Sequence, residues 1–284
     1  MLMQRVITAV VLLALLLPAL FAPVAWPWMA LTLVFIAAGA WEWGRLQGMN
    51  FGASVVGSLL VLGLCADAYL SGWVQQPTPW LWQVVGVLWV LLSVWMLRRG
   101  VPGWAQWPLA ARWPMGLLLI AAAWLALSQA RVLGVNFLLS SMALVWVADI
   151  AAYFFGRALG GRIIRRKLAA TISPGKSWEG ALGGFLGVCV LAWGWQRLES
   201  TFAVDGPSLY TLLFQRGSAW AVLALVFLTA MSVVGDLVES LVKRSAGMKD
   251  SSQLLPGHGG VLDRVDALLP TLPLSMMLVT LGGA

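Results

Sequence analysis

A succession of long apolar runs, parted by short polar joints, restricts this chain more than any other feature. The runs lie near 6–22, 27–43, 52–70, 79–97, 115–130, 135–155, 178–195, 219–243 and 262–281. Each approaches the roughly 20 apolar residues that a helix needs to cross a bilayer. With 61% hydrophobic and 10% charged residues, the chain is no ordinary soluble enzyme; such domains carry about 25% charged residues. The expected fold is all-α: a polytopic integral membrane protein of about nine transmembrane helices. The basic start followed by Val6–Ala22 imitates a secretory signal, but equally apolar runs follow, so an uncleaved first span is expected.

Charge gives an orientation. With the N-terminus in the cytoplasm, Arg131, Arg197 and Arg216 fall outside and the rest of the 18 Lys and Arg residues fall inside, as the positive-inside tendency requires. Nine spans then place the C-terminus outside. The net charge of +7 reads as this orientation signal rather than as a nucleic-acid surface. Cys65 and Cys189 lie in apolar runs without metal-ligand spacing and are expected to be unpaired packing residues. Glu42 and Asp67 are the two acids of residues 1–134, whereas 135–284 holds the other nine. The first segment is therefore expected to serve packing and the second to carry chemistry.

The densest signal is GDLVESLVKRSAGMKDSSQLLPGHGGVLDRVD, which contains Asp236 to Asp266. At helical spacing Asp236, Glu239, Ser240 and Lys243 share one face. Read blandly, this is an ion pair with a snorkelling lysine. Beyond it stand Lys243, Arg244 and Lys249, the turn Pro256-Gly257-His258-Gly259-Gly260, then Asp263, Arg264 and Asp266. Glycines admit backbone N–H groups to phosphate oxygens, cations offset polyphosphate charge, and carboxylates can hold Mg²⁺ across those oxygens. The combination suits nucleotide chemistry, although each part alone has a structural reading: a turn, a hydrogen-bonded histidine, an orientation signal.

The run Ser240-Leu-Val-Lys-Arg, Lys249-Asp250 and Pro256-Gly-His-Gly-Gly-Val-Leu-Asp-Arg-Val-Asp266 resembles the signature of the phosphatidate cytidylyltransferases, or CDP-diacylglycerol synthases. The likeness extends to Asp149–Gly156, Arg157, Gly160-Gly161-Arg162 and Ser173-Pro-Gly-Lys-Ser-Trp-Glu-Gly180. There Ser173 and Pro174 suit a helix entrance, and Ser173 and Lys176 become candidate phosphate contacts. Gly175-Lys176-Ser177 imitates the end of a P-loop, but Ala170 stands where the leading glycine belongs and no strand precedes it.

The resemblance implies transfer of CMP from CTP to phosphatidic acid, giving CDP-diacylglycerol and pyrophosphate, with Mg²⁺ and room for a second ion. Its logic makes Asp236, Asp263 and Asp266 the leading metal ligands, with Asp149 and Glu239 behind them. Lys176, Lys243, Arg244, Lys249 and Arg264 would neutralise phosphates. Ser173, Ser240, His258, Gly259 and Gly260 would supply close contacts, His258 also protonating departing pyrophosphate. The expected setting is a bacterial inner membrane, the site facing the cytoplasm, in a homodimer packed through glycine- and alanine-rich spans, with no nucleic acid. The rivals are a CTP-dependent polyprenol or dolichol kinase, which would release CDP, and a transporter using Asp149, Asp236 and Glu239 as an ion path.

Overall fold

The computed structural model describes residues 2–281. Among them the chain forms helices α1 (Leu2–Leu20), α2 (Trp26–Leu46), α3 (Phe51–Leu70), α4 (Pro79–Ala105), α5 (Leu109–Leu133) and α6 (Val135–Leu159). These are followed by α7 (Trp178–Glu199), α8 (Leu209–Gln215), α9 (Ser218–Ser245), α10 (Leu262–Val265) and α11 (Leu268–Thr280). The described residues contain no strand. Two isolated bridges, Ala169 to Ser173 and Leu255 to Gly259, pinch the two polar loops. The C-terminal residues 282–284, on which the expectation of an outward C-terminus falls, lie outside the described residues.

Each apolar run became helix, but the runs are not equal. Six helices, α1, α3, α4, α5, α6 and α9, are long and apolar enough to cross a membrane. This supports a multi-pass membrane protein without confirming nine spans. The last run, expected as one helix over 262–281, is broken: α10 has 4 residues and α11 has 13. At 1.5 Å per residue, α11 extends only about 20 Å. α2 is diluted by Glu42 and Arg45, and α7 by Gly180, Gly183, Gly184, Gly187 and Gly194. α4 is itself interrupted at Gly100, whose φ of 66° glycine adopts without a Cβ penalty.

Leu59, Val84, Leu91 and Val190 point outward, as side chains facing acyl tails do. Inside, α7 lies against α6 through small residues. A Cβ on Gly184 would sit 2.9 Å from the Ala148 carbonyl oxygen, and one on Gly187 would sit 2.7 Å from Ala151 Cβ. The glycine stripe of α7 thus permits close helix approach within the chain. That face is taken up by α6.

Two of the arginines that break the positive-inside pattern satisfy helix ends. Arg131 donates to the carbonyls of Leu20 (3.0 Å) and Ala22 (2.6 Å), just past α1, while Arg216 donates to those of Leu278, Val279 and Leu281 around the end of α11. Carbonyls at a helix C-terminus lack intrahelical donors and attract cations. At the other end of the bundle the loop after α9 meets α1, where Thr8 Oγ1 donates to the Pro256 carbonyl at 3.0 Å. The end of α2, the start of α7, the end of α9 and α10 converge there.

Candidate active site

The site is built on α9, whose last third presents Asp236, Glu239, Ser240 and Lys243. Ser240 Oγ donates to Asp236 Oδ1 at 3.2 Å. Lys243 Nζ lies 2.5 Å from Glu239 Oε2 one turn back and 2.6 Å from Asp263 Oδ1 on α10. Lys176, from the loop before α7, reaches across to Asp236 Oδ2 at 2.6 Å. Asp149 on α6 and Asp266 at the end of α10 approach Asp236 closely enough to interact with it electrostatically.

Asp149, Lys176 and Asp236 line a cleft of about 600 Å³, with Tyr153 and Arg157 at its α6 wall. Arg157 Nη1 donates to the Tyr153 hydroxyl at 3.1 Å, one helical turn apart. Of the five carboxylates Asp149, Asp236, Glu239, Asp263 and Asp266, three form direct ion pairs among the described residues: Asp236 with Lys176, and Glu239 and Asp263 with Lys243. Oxygen donors of this kind suit Mg²⁺. Glu239 Oε1 is buried without a hydrogen-bond partner and so is open to a further donor or cation. Among the described residues, no three His, Cys, Asp or Glu side chains are already arranged around one point for an ion.

Asp263 is differently employed. Its Oδ2 accepts from Gly260 N (2.8 Å), Ser251 N (2.9 Å) and Ser251 Oγ (2.9 Å), while Oδ1 holds Lys243. Burial opposes its charge, but the Lys243 ammonium and the N–H groups of Gly260 and Ser251 outweigh burial and hold its carboxyl below the ordinary aspartate range. The glycine turn makes room for this carboxylate: a Cβ on Gly259 would come within 2.8 Å of Asp263 Oδ2. The Gly260 N–H is thus engaged by Asp263.

Other expected site residues stand apart from this cluster. Lys249 lines a hollow of about 470 Å³ with Arg45, Asp250 and Ser252. Arg264 stands at the edge of an apolar groove between α1, α2 and α11. Arg244 turns back to the Met248 carbonyl at 3.5 Å, and His258 Nδ1 is buried without a partner. Ser173 does not cap α7. Its N–H closes onto the Ala169 carbonyl, and Ser177, in extended conformation, accepts the Gly180 N–H at 3.1 Å instead.

Two acids outside the expected set prove structural to the site. Glu179 Oε1 accepts the N–H groups of Gly161 (3.0 Å), Ile163 (3.1 Å) and Ile164 (2.8 Å), fixing the basic segment that follows α6. Glu179→Ala is expected to release that segment, so that trypsin cuts after Arg162, Arg165 or Arg166 sooner in purified protein; unaltered cleavage would refute the clamp. Glu42 on α2 is wholly buried and faces four donors of residues 251–262, one of which, the Ser251 hydroxyl, it shares with Asp263. Its signal was present in the sequence, since a carboxylate inside an apolar run is costly unless it has partners.

The fold and the cluster define a polytopic helical membrane protein with one charge-dense end fit for chemistry on anionic substrates. The chain belongs to the cytidylyltransferase family, whose model matches residues 3–281. It is 39% identical over 298 residues to a phosphatidate cytidylyltransferase of Pseudomonas aeruginosa, covering 100% of this chain and 98% of that protein. It is 38% identical to the Haemophilus influenzae protein of the same name, with 96% of both chains covered. A Brucella melitensis phosphatidate cytidylyltransferase is 41% identical over 203 residues, 67% of this chain and 68% of that one. The chain is accordingly a nucleotidyltransferase.

Proposed function

We propose that the protein joins CTP and phosphatidate into CDP-diacylglycerol and pyrophosphate. A phosphatidate oxygen forms a bond to the α-phosphorus of CTP as the bond from that phosphorus to the β-phosphate oxygen breaks. A phosphomonoester has a second pKa of about 6, so the lipid phosphate is largely dianionic at neutral pH and needs little general-base help. The remaining barrier lies in bringing polyanions together, which calls for position and positive charge.

The observation that carries this reading is the meeting of Lys176 and Asp236, from two separate motifs, beside Asp149 in one polar cleft at the end of a lipid-facing bundle. Asp236, Asp266 and Asp149 would hold Mg²⁺, with Glu239 and a second ion behind them. Bound there, the ion would offset charge on the attacking and leaving oxygens. Asp263, whose oxygens are already bonded, holds Lys243 and the glycine turn in place. Lys176 faces the cleft and would meet the triphosphate. The reading includes the bacterial inner membrane, the polar end toward the cytoplasm where CTP is dissolved, and a homodimer. The inward excess of Arg and Lys supports the orientation.

The test is purified protein with phosphatidic acid, Mg²⁺ and CTP labelled at the α-phosphate. Label in the lipid extract with release of pyrophosphate is expected; CDP release with unlabelled lipid would favour the kinase. The transporter fits less well, because the carboxylates gather at one end of the bundle. Lys176→Ala is expected to raise the KM for CTP about tenfold while leaving the thermal unfolding profile in place. An unchanged KM would remove Lys176 from triphosphate binding.

A further inference from the structure

We propose that Glu42, on a helix that contributes nothing else to the polar cluster, is a positioning residue for cytidylyl transfer, setting the segment 251–262 so that Asp263 and Asp266 meet α9 correctly. This rests on cytidylyl transfer being the reaction.

Glu42 has no ion-pair partner among the described residues. Its whole compensation is hydrogen bonding across the chain. Oε1 accepts from Val261 N at 2.9 Å and from Ser252 Oγ; Oε2 accepts from Leu262 N at 2.8 Å and from Ser251 Oγ at 3.1 Å. Ser251 Oγ also lies 2.9 Å from Asp263 Oδ2, so its one proton is shared between the two carboxylates; its N–H donates to the same Asp263 oxygen, and Asp263 Oδ1 binds Lys243, which binds Glu239. One bonded series therefore runs from α2 through the signature loop to α9. The N–H groups of Val261 and Leu262 come immediately before Asp263, so their anchor fixes where that carboxylate begins.

The arrangement requires a carboxylate of this length. The two serine hydroxyls can rotate, but the two backbone N–H groups cannot, and each addresses a different oxygen. Glutamine offers one oxygen and one NH₂ group. In Glu42→Gln either Val261 N or Leu262 N must face a donor and lose its bond, although the side chain keeps its size. Aspartate, one methylene shorter, cannot span both N–H groups without drawing the loop toward α2.

The test uses full-length protein reconstituted with phosphatidic acid, comparing wild type, Glu42→Gln and Ser252→Ala. Hydrogen–deuterium exchange reports on residues 250–266, thermal unfolding on the whole fold, and steady-state kinetics on kcat and the KM for CTP. In Glu42→Gln, kcat is expected to fall about tenfold while the KM for CTP changes little, consistent with one buried donor left unpaired. Exchange should quicken in 250–266 and nowhere else. Ser252→Ala, which spares both backbone bonds, should show the same pattern in weaker form. Wild-type kcat and exchange in folded Glu42→Gln would overturn the proposal, as would quickened exchange throughout the chain with activity lost only in proportion to unfolded protein. Should Glu42→Gln fail to fold, Ser252→Ala decides, and its wild-type kcat and exchange would be the overturning result. A wild-type protein that forms no CMP-linked lipid would instead overturn the reaction, and the exchange data would still report on the Glu42 anchor.

Discussion

Asp236→Asn is expected to reduce CTP-dependent turnover by about 10³-fold, the scale on which a lost electrostatic contact to the reacting groups is felt. Asp236 stands where the cluster's interactions cross: Lys176 at 2.6 Å, Ser240 at 3.2 Å, and Asp149 and Asp266 within electrostatic reach. Asparagine keeps the shape, but its single amide oxygen can either accept from Ser240 or face Lys176. What disappears is one negative charge, and with it both the Lys176 ion pair and the repulsion of Asp149 and Asp266. Stability should therefore hold or rise while activity collapses, the opposed signs expected where a site carries charge for function rather than for folding. Residual turnover should require more Mg²⁺ than the wild type. Measuring lipid-linked CMP and the unfolding temperature on the same preparation checks both signs. Wild-type turnover, or equal loss of stability and activity, would remove Asp236 from the chemistry.

Much of the fold was legible because hydropathy needs only local information. The runs at 27–43, 52–70, 135–155 and 219–243 became α2, α3, α6 and α9 with ends shifted by a few residues. The last run misled for a physical reason. The N–H groups of Val261 and Leu262 bond to Glu42 across more than two hundred residues of chain, and Asp266 Oδ1 takes the Ala267 N–H at 2.7 Å where α10 gives way to α11. The Asp266 bond is local, but no window of local hydropathy contains Glu42. The same division runs through the site. Lys243 with Glu239 is an i,i+4 pair and could be read from spacing, whereas Lys176 with Asp236 depends on how α7 packs beside α9. By their pattern alone, the glycines of the signature loop suit the approach of phosphate oxygens. In the fold, Gly259 gives room to Asp263 and Gly260 donates to it, so two glycines expected to touch substrate also have a structural part in seating that carboxylate.

Gly260→Ala puts that support under the most direct strain. A Cβ there would intrude on Ser251 Oγ and Glu42 Oε1, closer than real contacts allow. Long side chains usually swing aside at small cost, but these atoms are committed. Ser251 Oγ shares its proton between Glu42 Oε2 at 3.1 Å and Asp263 Oδ2 at 2.9 Å, and Glu42 Oε1 holds Val261 N at 2.9 Å. The added methyl must displace either the carboxylate from the start of α10 or the Ser251 hydroxyl from Asp263. Overpacking of this kind costs about 1–3 kcal/mol. Displacement of reacting groups by about an ångström can cost ~100-fold in rate, so turnover is expected to fall at least that far. Gly63→Ala is the matched control, since a Cβ at Gly63 meets nothing within 4 Å and α3 carries no site residue; it should keep full activity. Because Gly260 and Glu42 act through one bonded network, Gly260→Ala combined with Glu42→Gln should cost little more than Gly260→Ala alone. Additive losses in rate would mean that the two residues serve separate ends, and the account of the loop as a single braced unit would have to be abandoned.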